Sequence, residues 1–345
     1  MRKPSAGLKL GAGLKRSGPV KRLSAPTADA ASVAVYCAVL LRGGVPQARV
    51  LSQVAADTQD PGAVAAAARI SAGAPTAEAL AAVGGVSGAG LVGAAGAVRG
   101  GAARGVGGSG GAEWRVLAVA WQLAERSGAP LAPALERIAA ALQALTQLRE
   151  RRDVLLAGPR LTVRMVAALP PLALVLGALL GFDPVPVLLS PIGALLLAVG
   201  SALLVLGVVW ARSLGRRVEG ADRVAGLELE LTWIALSGGA PPSEALVRVA
   251  DCVSGLRATW VPFEAFTEGG RLRAVLATAA VIGVPVGPLL LEQAEAARAK
   301  SHAELERDAE RLAVRVLIPL GVCVLPAFIA LGVLPVLLSM LGGLA

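Results

Sequence analysis

From Met165 to Ala211 only Asp183 carries a charge, and from Val316 to Ala345 no residue does. A helix needs about 20 apolar residues to cross a hydrocarbon core about 30 Å thick. The uncharged stretches therefore read as three membrane spans: Met165 to Phe182, Pro184 to Ala211, and Val316 to Ala345. Asp183 falls where the first two would be joined by a tight turn, which makes them a hairpin. A long polar segment separates this hairpin from the third span.

Composition agrees with that reading. Charged residues make up 17% of the chain, against about 25% in an average globular domain, so an ordinary soluble enzyme is the first class to be excluded. The formal charge of +9 would point to a nucleic-acid binder if it were spread over a surface. Instead Arg2, Lys3, Lys9, Lys15, Arg16, Lys21 and Arg22 gather in the first residues with no acid among them, and the other basic residues nearly balance the acids. The basicity belongs to a tail, read as a solvated, disordered arm or as a contact with anionic lipid headgroups. No apolar h-region follows it, so it is not read as a secretory signal.

Arginine sets the expected orientation, because Lys and Arg near span ends are retained in the cytoplasm. Arg149, Arg151, Arg152, Arg160 and Arg164 precede the first span, Arg212, Arg216, Arg217 and Arg223 follow the second, and Arg307, Arg311 and Arg315 precede the third. All three clusters can be cytoplasmic at once. The amino end is then inside, and Asp183 and the carboxyl end face outward. The chain divides into a basic tail (1–30), a first cytoplasmic helical domain (31–158), a transmembrane hairpin (163–211), a second cytoplasmic helical domain (213–312) and a third transmembrane helix (313–343). The expected fold class is an all-α polytopic membrane protein with two cytoplasmic helical-bundle domains and three transmembrane helices.

Within the first domain, 13 of the 28 residues from Gly84 to Gly111 are glycine, a composition expected to form a flexible linker rather than a core. The linker matches GxGxxG at Gly88–Gly93 and at Gly105–Gly110. A dinucleotide site requires a strand before those glycines and a helix after them, and no strand pattern precedes either match.

An internal repeat is more informative. Gly44-Val-Pro46, Gly73-Ala-Pro75, Gly128-Ala-Pro130 and Gly239-Ala-Pro241 each lead, without gaps, to an apolar residue and a leucine one turn later: Val50-Leu51, Ala79-Leu80, Ala134-Leu135 and Ala245-Leu246. Gly283-Val-Pro285 with Leu289-Leu290 is a weaker fifth copy. Glycine ends a helix because it adopts the left-handed conformation without a Cβ penalty. Proline opens the next helix, where its missing N–H has no partner to lose. The unit is an α-hairpin, repeated across both polar segments.

These residues resemble the F-domain family of type II secretion, the inner-membrane platform proteins of type II secretion systems, type IV pili and Tad/Flp pili. The order of helical domain, two spans, helical domain, one span is similar to that family's layout over roughly residues 31 to 343. Gly44–Leu51 and Gly73–Leu80 look like its turns, and Ala124, Glu125, Ser127, Gly128 and Leu135 look like its Glu-x-Ser-Gly element. Leu317 to Phe328 looks like the last span of the actinobacterial Tad-type branch. In the second domain the corresponding Val281-Ile282-Gly283 lacks both polar residues, and the Gly-rich stretch has no counterpart. The resemblance implies a non-catalytic adaptor in the plasma membrane, partnered with a hexameric secretion ATPase, with pilin-like subunits and with a sister platform protein or a second copy of itself. The alternative, from the residues alone, is a small-solute transporter or channel component.

Individual candidates carry two readings each. Glu125 and Ser127, with Gly128, could make a polar contact with a partner or between domains, or form a solvated helix end. The alternating charges from Glu292 to Arg311 could dock a partner or form a salt-bridged solvated face. Gly177 and Gly181 form a GxxxG that could admit another helix closely, or reflect ordinary transmembrane glycine content. Pro319, Pro326 and Pro335 should bend the third span or break its hydrogen-bond ladder. Trp114 and Trp121, seven apart, read as core, and Trp210 as an interfacial anchor. His302 is the only histidine. The cysteines Cys37, Cys252 and Cys323 show no metal spacing, and no catalytic constellation, metal site or cofactor is implied.

Overall fold

The computed structural model describes residues 29–86, 109–179, 191–219, 224–267, 270–335 and 337. These residues are helical throughout, with no strand among them. The first segment supplies α1 (Ala30–Arg42), α2 (Gln47–Thr58), α3 (Pro61–Ser71), α4 (Thr76–Val86) and α5 (Ser109–Ser127). The 49-residue α6 (Leu131–Leu179) then runs out of the bundle, and α7 (Pro191–Glu219) returns towards it. The second segment supplies α8 (Leu227–Ser237), α9 (Pro242–Gly255), α10 (Arg271–Ile282) and α11 (Val286–Arg315).

All five repeat glycines, Gly44, Gly73, Gly128, Gly239 and Gly283, take positive φ, between 73° and 93°. At the first turn Gly44 N–H donates to Leu41 O at 3.1 Å and Val45 N–H donates to Leu40 O at 3.0 Å, the paired bonds of a Schellman cap. The prolines differ from the sequence expectation by one position. Pro46, Pro241 and Pro285 are N-caps with extended ψ of 137°, 150° and 127°, and Pro75 and Pro130 also precede the first helical residue. The reason is the carbonyl. In that place it accepts the helix's opening bond, as Pro75 O does from Ala79 N–H at 2.9 Å and Pro241 O does from Ala245 N–H at 2.9 Å. Two more helix ends take positive φ without glycine at that position: Gln59, φ 53°, whose N–H donates to Ala55 O at 3.1 Å, and Arg257, φ 52°, after which Ala258 N–H donates to Val253 O at 3.0 Å.

The apolar pairs that follow each turn face the core, with Leu246 and Leu289 half-buried against it. Val50, Leu51, Ala79, Leu80, Ala134, Leu135, Ala245 and Leu290 are in the core. Two helices are buried on nearly every face, as a helix at the centre of a bundle must be: α5 from Trp114 to Ala124, and α8 from Leu227 to Ala235. They pack against each other, so the buried residues of both polar segments form one contiguous cluster. Trp114 and Trp121 are both core residues. Gly62 makes room for the first, since a Cβ there would lie 2.3 Å from the Trp114 ring.

The Gly-rich stretch is shorter than its composition implies. Gly84 lies in α4 and Gly111 in α5, and a Cβ on Gly84 would lie 2.2 Å from Gly111 O. Helices approach this closely only through glycine, so these two are packing positions and not linker. The match at Gly88–Gly93 lies outside the described residues, and Gly110 belongs to α5.

Among the described residues two helices are long and apolar enough to cross a membrane: Gly193–Gly215 within α7, and Val286–Val333, which is α11 continued through the terminal apolar run. Only 17% of the first is buried within the fold, and Leu195, Val205 and Leu206 on it are more than half exposed. The apolar end of α6 has Leu172 and Leu179 exposed, and Gly181 and Asp183 beyond it lie outside the described residues. Pro319 and Pro326 do not break the terminal helix. It stays helical by widening into π turns at Leu320–Val324 and Ile329–Val333, where Leu325 N–H reaches back to Leu320 O and Leu334 N–H to Ile329 O. Widening of this kind is a recognised response to a proline that cannot donate.

Gly181 lies outside the described residues, and close helix approaches are seen at two glycines of α7. A Cβ on Gly200 would lie 2.5 Å from Leu331 Cγ, and one on Gly207 would lie 2.9 Å from Cys323 Cβ. Gly200 and Gly207 are seven apart on α7, one face of the helix, and that face seats the terminal helix.

Candidate functional site

The Glu125-Ser127-Gly128 element sits where the two polar segments meet. Glu125 is exposed and ends α5, and its Oε1 accepts from Trp121 Nε1 at 2.7 Å and from Gln47 Nε2 of α2. It ties two repeat turns of the first segment together. Ser127 is buried, and its hydroxyl donates to Leu123 O at 2.7 Å, which removes the polar group from the contact surface. Against its backbone lies Gly238 of the second segment, where a Cβ would be 2.0 Å from Ser127 O. The Gly128 turn and the Gly239 turn thus abut, each at the end of a central helix. Arg248 of α9 completes the contact by donating to Arg126 O at 3.4 Å. The turn residues Gly44, Pro46, Gly73, Pro75, Pro130 and Pro241 are exposed and carry only the capping roles described above.

Arginines of α6 carry the junction further. Arg137 lies over the Trp233 ring and within 3.6 Å of Glu295. Arg149 pairs with Glu113 at 2.5 Å and lies over the Trp260 ring. Arg151 reaches Glu306 at 2.5 Å. The charges between Glu292 and Arg311 therefore divide: Lys300 with Glu304 and Asp308 with Arg311 form the expected exposed pairs along α11, while Glu295, Arg298 and Glu306 reach other helices.

Arg298 does the least expected thing. Its guanidinium donates to Glu230 Oε1 at 2.7 Å, and Glu230 is fully buried in the first turn of α8. Glu230 Oε2 has no hydrogen-bond partner among the described residues. Burial holds the Glu230 carboxyl above the ordinary carboxylate range, and the attraction of Arg298 offsets that only in part. Burial also raises Glu228, against a backbone hydrogen bond and the charge of Arg271. The sign follows from linkage: a carboxyl raised on folding binds its proton more tightly in the folded chain, so stability is fully present below the ordinary range and declines as pH rises through the raised one. Thermal unfolding of the full chain in detergent should show that decline above about pH 4, and Glu230→Gln should flatten it. An unchanged slope in the variant would refute the assignment.

The cysteines behave as small apolar residues. Cys37, Cys252 and Cys323 are free and buried, and burial pushes the Cys37 thiol up to about 12. Among the described residues no three His, Cys, Asp or Glu side chains gather as a metal site.

The geometry is that of a junction between helices, with a buried ion pair, stacked arginines and a glycine contact. Comparison with family models finds no match for this chain, and comparison with curated proteins finds none either.

Proposed function

We propose that this chain is a non-catalytic platform in the plasma membrane of a type II secretion or Tad/Flp-like pilus-assembly machine, coupling a cytoplasmic secretion ATPase to the assembly of pilin-like subunits. The observation that supports it is continuity: α6 runs unbroken from the bundle of both polar segments into an apolar stretch, and α11 continues into the terminal apolar helix. A displacement applied to the bundle would pass into those helices without a hinge. The repeated Gly-x-Pro turns of both segments, joined at Ser127 and Gly238, make the bundle one body on which an ATPase could push. Three spans, a cytoplasmic amino end and an outward carboxyl end complete the proposal, with a sister platform protein or a second copy as the membrane partner.

Co-purification of the full chain in mild detergent tests it. Recovery of a hexameric ATPase supports the platform. Its absence, together with solute flux in reconstituted vesicles, would favour a transporter component instead. Reporter fusions at Asp183 and Ala345 should both read outside.

A further inference from the structure

The basic ends of the apolar helices do not simply meet water. Between α6, α7 and the helix continuing from α11 lies a cavity of about 760 Å³. Three arginines line it, Arg160 and Arg164 one turn apart on α6 and Arg212 on α7, and among the described residues no carboxylate does. Arg160 is shared with Asp153 at 3.3 Å. Arg164 and Arg212 have no hydrogen-bond or ion-pair partner among the described residues, in contrast to Arg149 and Arg151, about four turns nearer the bundle than Arg164 on α6, which are engaged with protein.

The rest of the lining is apolar, with Ala168 and Val208 continuing it from the arginines towards the apolar parts of α6 and α7. The cavity is far larger than a lone phosphate needs and lies within the range of about 300–1,000 Å³ occupied by organic ligands. A group of cations beside apolar walls that lead into apolar helices matches a molecule with an anionic head and an acyl tail. Guanidinium groups suit phosphate in particular, because their planar N–H forks can each make two parallel hydrogen bonds. The position, at the boundary where basic helices turn apolar, is where headgroup phosphates lie in a bilayer.

We infer that this cavity binds an anionic phospholipid, with its phosphate held by Arg164, Arg212 and Arg160 and an acyl chain lying along α6 and α7. The inference rests on the membrane location proposed above. A bound lipid would fill the gap between the helices that carry motion from the bundle and would make their packing depend on lipid composition.

The test is native mass spectrometry of the full chain in detergent with phosphatidylglycerol or phosphatidylcholine added. The wild-type chain should retain phosphatidylglycerol at least about tenfold better, the effect of one charged hydrogen-bonded contact. Arg164→Ala with Arg212→Ala should bring the two lipids to parity, while Arg164→Lys with Arg212→Lys should keep a preference. Equal retention of both lipids by the wild type, or an unchanged preference in the alanine variant, overturns the site. So does displacement of the lipid by millimolar inorganic phosphate, which would mark a site for a soluble anion. Circular dichroism of each variant shows whether it keeps its helices, and the lysine variant supplies the comparison if the alanine one does not. Alkaline extraction of cell membranes keeps the two claims apart: a wild-type chain released into the supernatant defeats the membrane reading, whereas a retained chain without lipid preference defeats only the site.

Discussion

Replacing Arg298 with alanine is expected to destabilise the folded chain by about 3–5 kcal/mol near neutral pH, the usual consequence of leaving a buried charge without its partner. Glu230 is fully buried, its Oε1 depends on Arg298 at 2.7 Å, and its Oε2 already lacks a partner among the described residues. Without Arg298 the carboxyl must either stay charged in an apolar core or take up a proton against the pH of the solution. The loss should therefore shrink as pH falls below the ordinary carboxylate range, where the group is neutral in both folded and unfolded chains. Glu230→Leu combined with Arg298→Leu should be no less stable than the native pair, because two apolar groups of similar volume leave nothing unsatisfied. Chemical denaturation of the full chain in detergent, followed by circular dichroism, reads both variants. A loss below about 1 kcal/mol for Arg298→Ala would place the pair with exposed salt bridges and would refute its role in holding α11 against α8.

Gly238→Ala should be the most damaging single methyl in the chain's turns. The added Cβ would meet Ser127 O at 2.0 Å, its carbonyl carbon at 2.6 Å and its Cβ at 2.9 Å. Two of these are backbone atoms, which no rotamer change can move, so α5 and α8 would have to separate. Overpacking of this kind costs about 1–3 kcal/mol or more. The neighbouring Gly239 provides the control: its φ is 88° and nothing lies within 4 Å of a Cβ there. Gly239→Ala should lose only about 1–2 kcal/mol for the left-handed backbone and should leave the junction closed. Equal losses at the two positions would show that close approach is not what Gly238 provides. If the junction transmits force, Gly238→Ala should also reduce recovery of the ATPase in the co-purification above, beyond any reduction seen for Gly239→Ala.

The contrast between these two glycines shows where sequence reasoning reached and where it stopped. Gly239 belongs to a repeated pattern, and the pattern specifies its conformation. Gly238 has an ordinary φ of −83° and stands outside the repeated pattern, and its importance comes from Ser127 across the fold. Gly84, Gly200 and Gly207 are of the same kind. On α7 the sequence offers no such motif, yet Gly200 and Gly207 are the glycines whose Cβ positions would run into the terminal helix. A motif records spacing on one helix and says nothing of which neighbour faces it.

Charge reads the same way. Helical spacing from Glu292 to Arg311 correctly finds pairs within α11, since residues three or four apart are neighbours on one surface. It cannot find Glu230, 68 positions from Arg298, or show that Arg149 engages Glu113 and Trp260 while Arg164 and Arg212 face an apolar cavity. As span-end markers these arginines looked alike.

What this sequence determined by itself is local and covalently near: helices, their glycine caps, the buried pair after each turn, and the apolar stretches that need lipid or a core. Those follow from backbone φ and from hydrogen bonds closed within six residues, so a short window of residues contains all the atoms involved. Only the tertiary structure decided that both polar segments share one core, that two turns abut at Ser127 and Gly238, that α8 buries a carboxylate for Arg298, and that three arginines ring one cavity. Each of those depends on which distant surfaces meet, and that is settled by the packing of the whole chain.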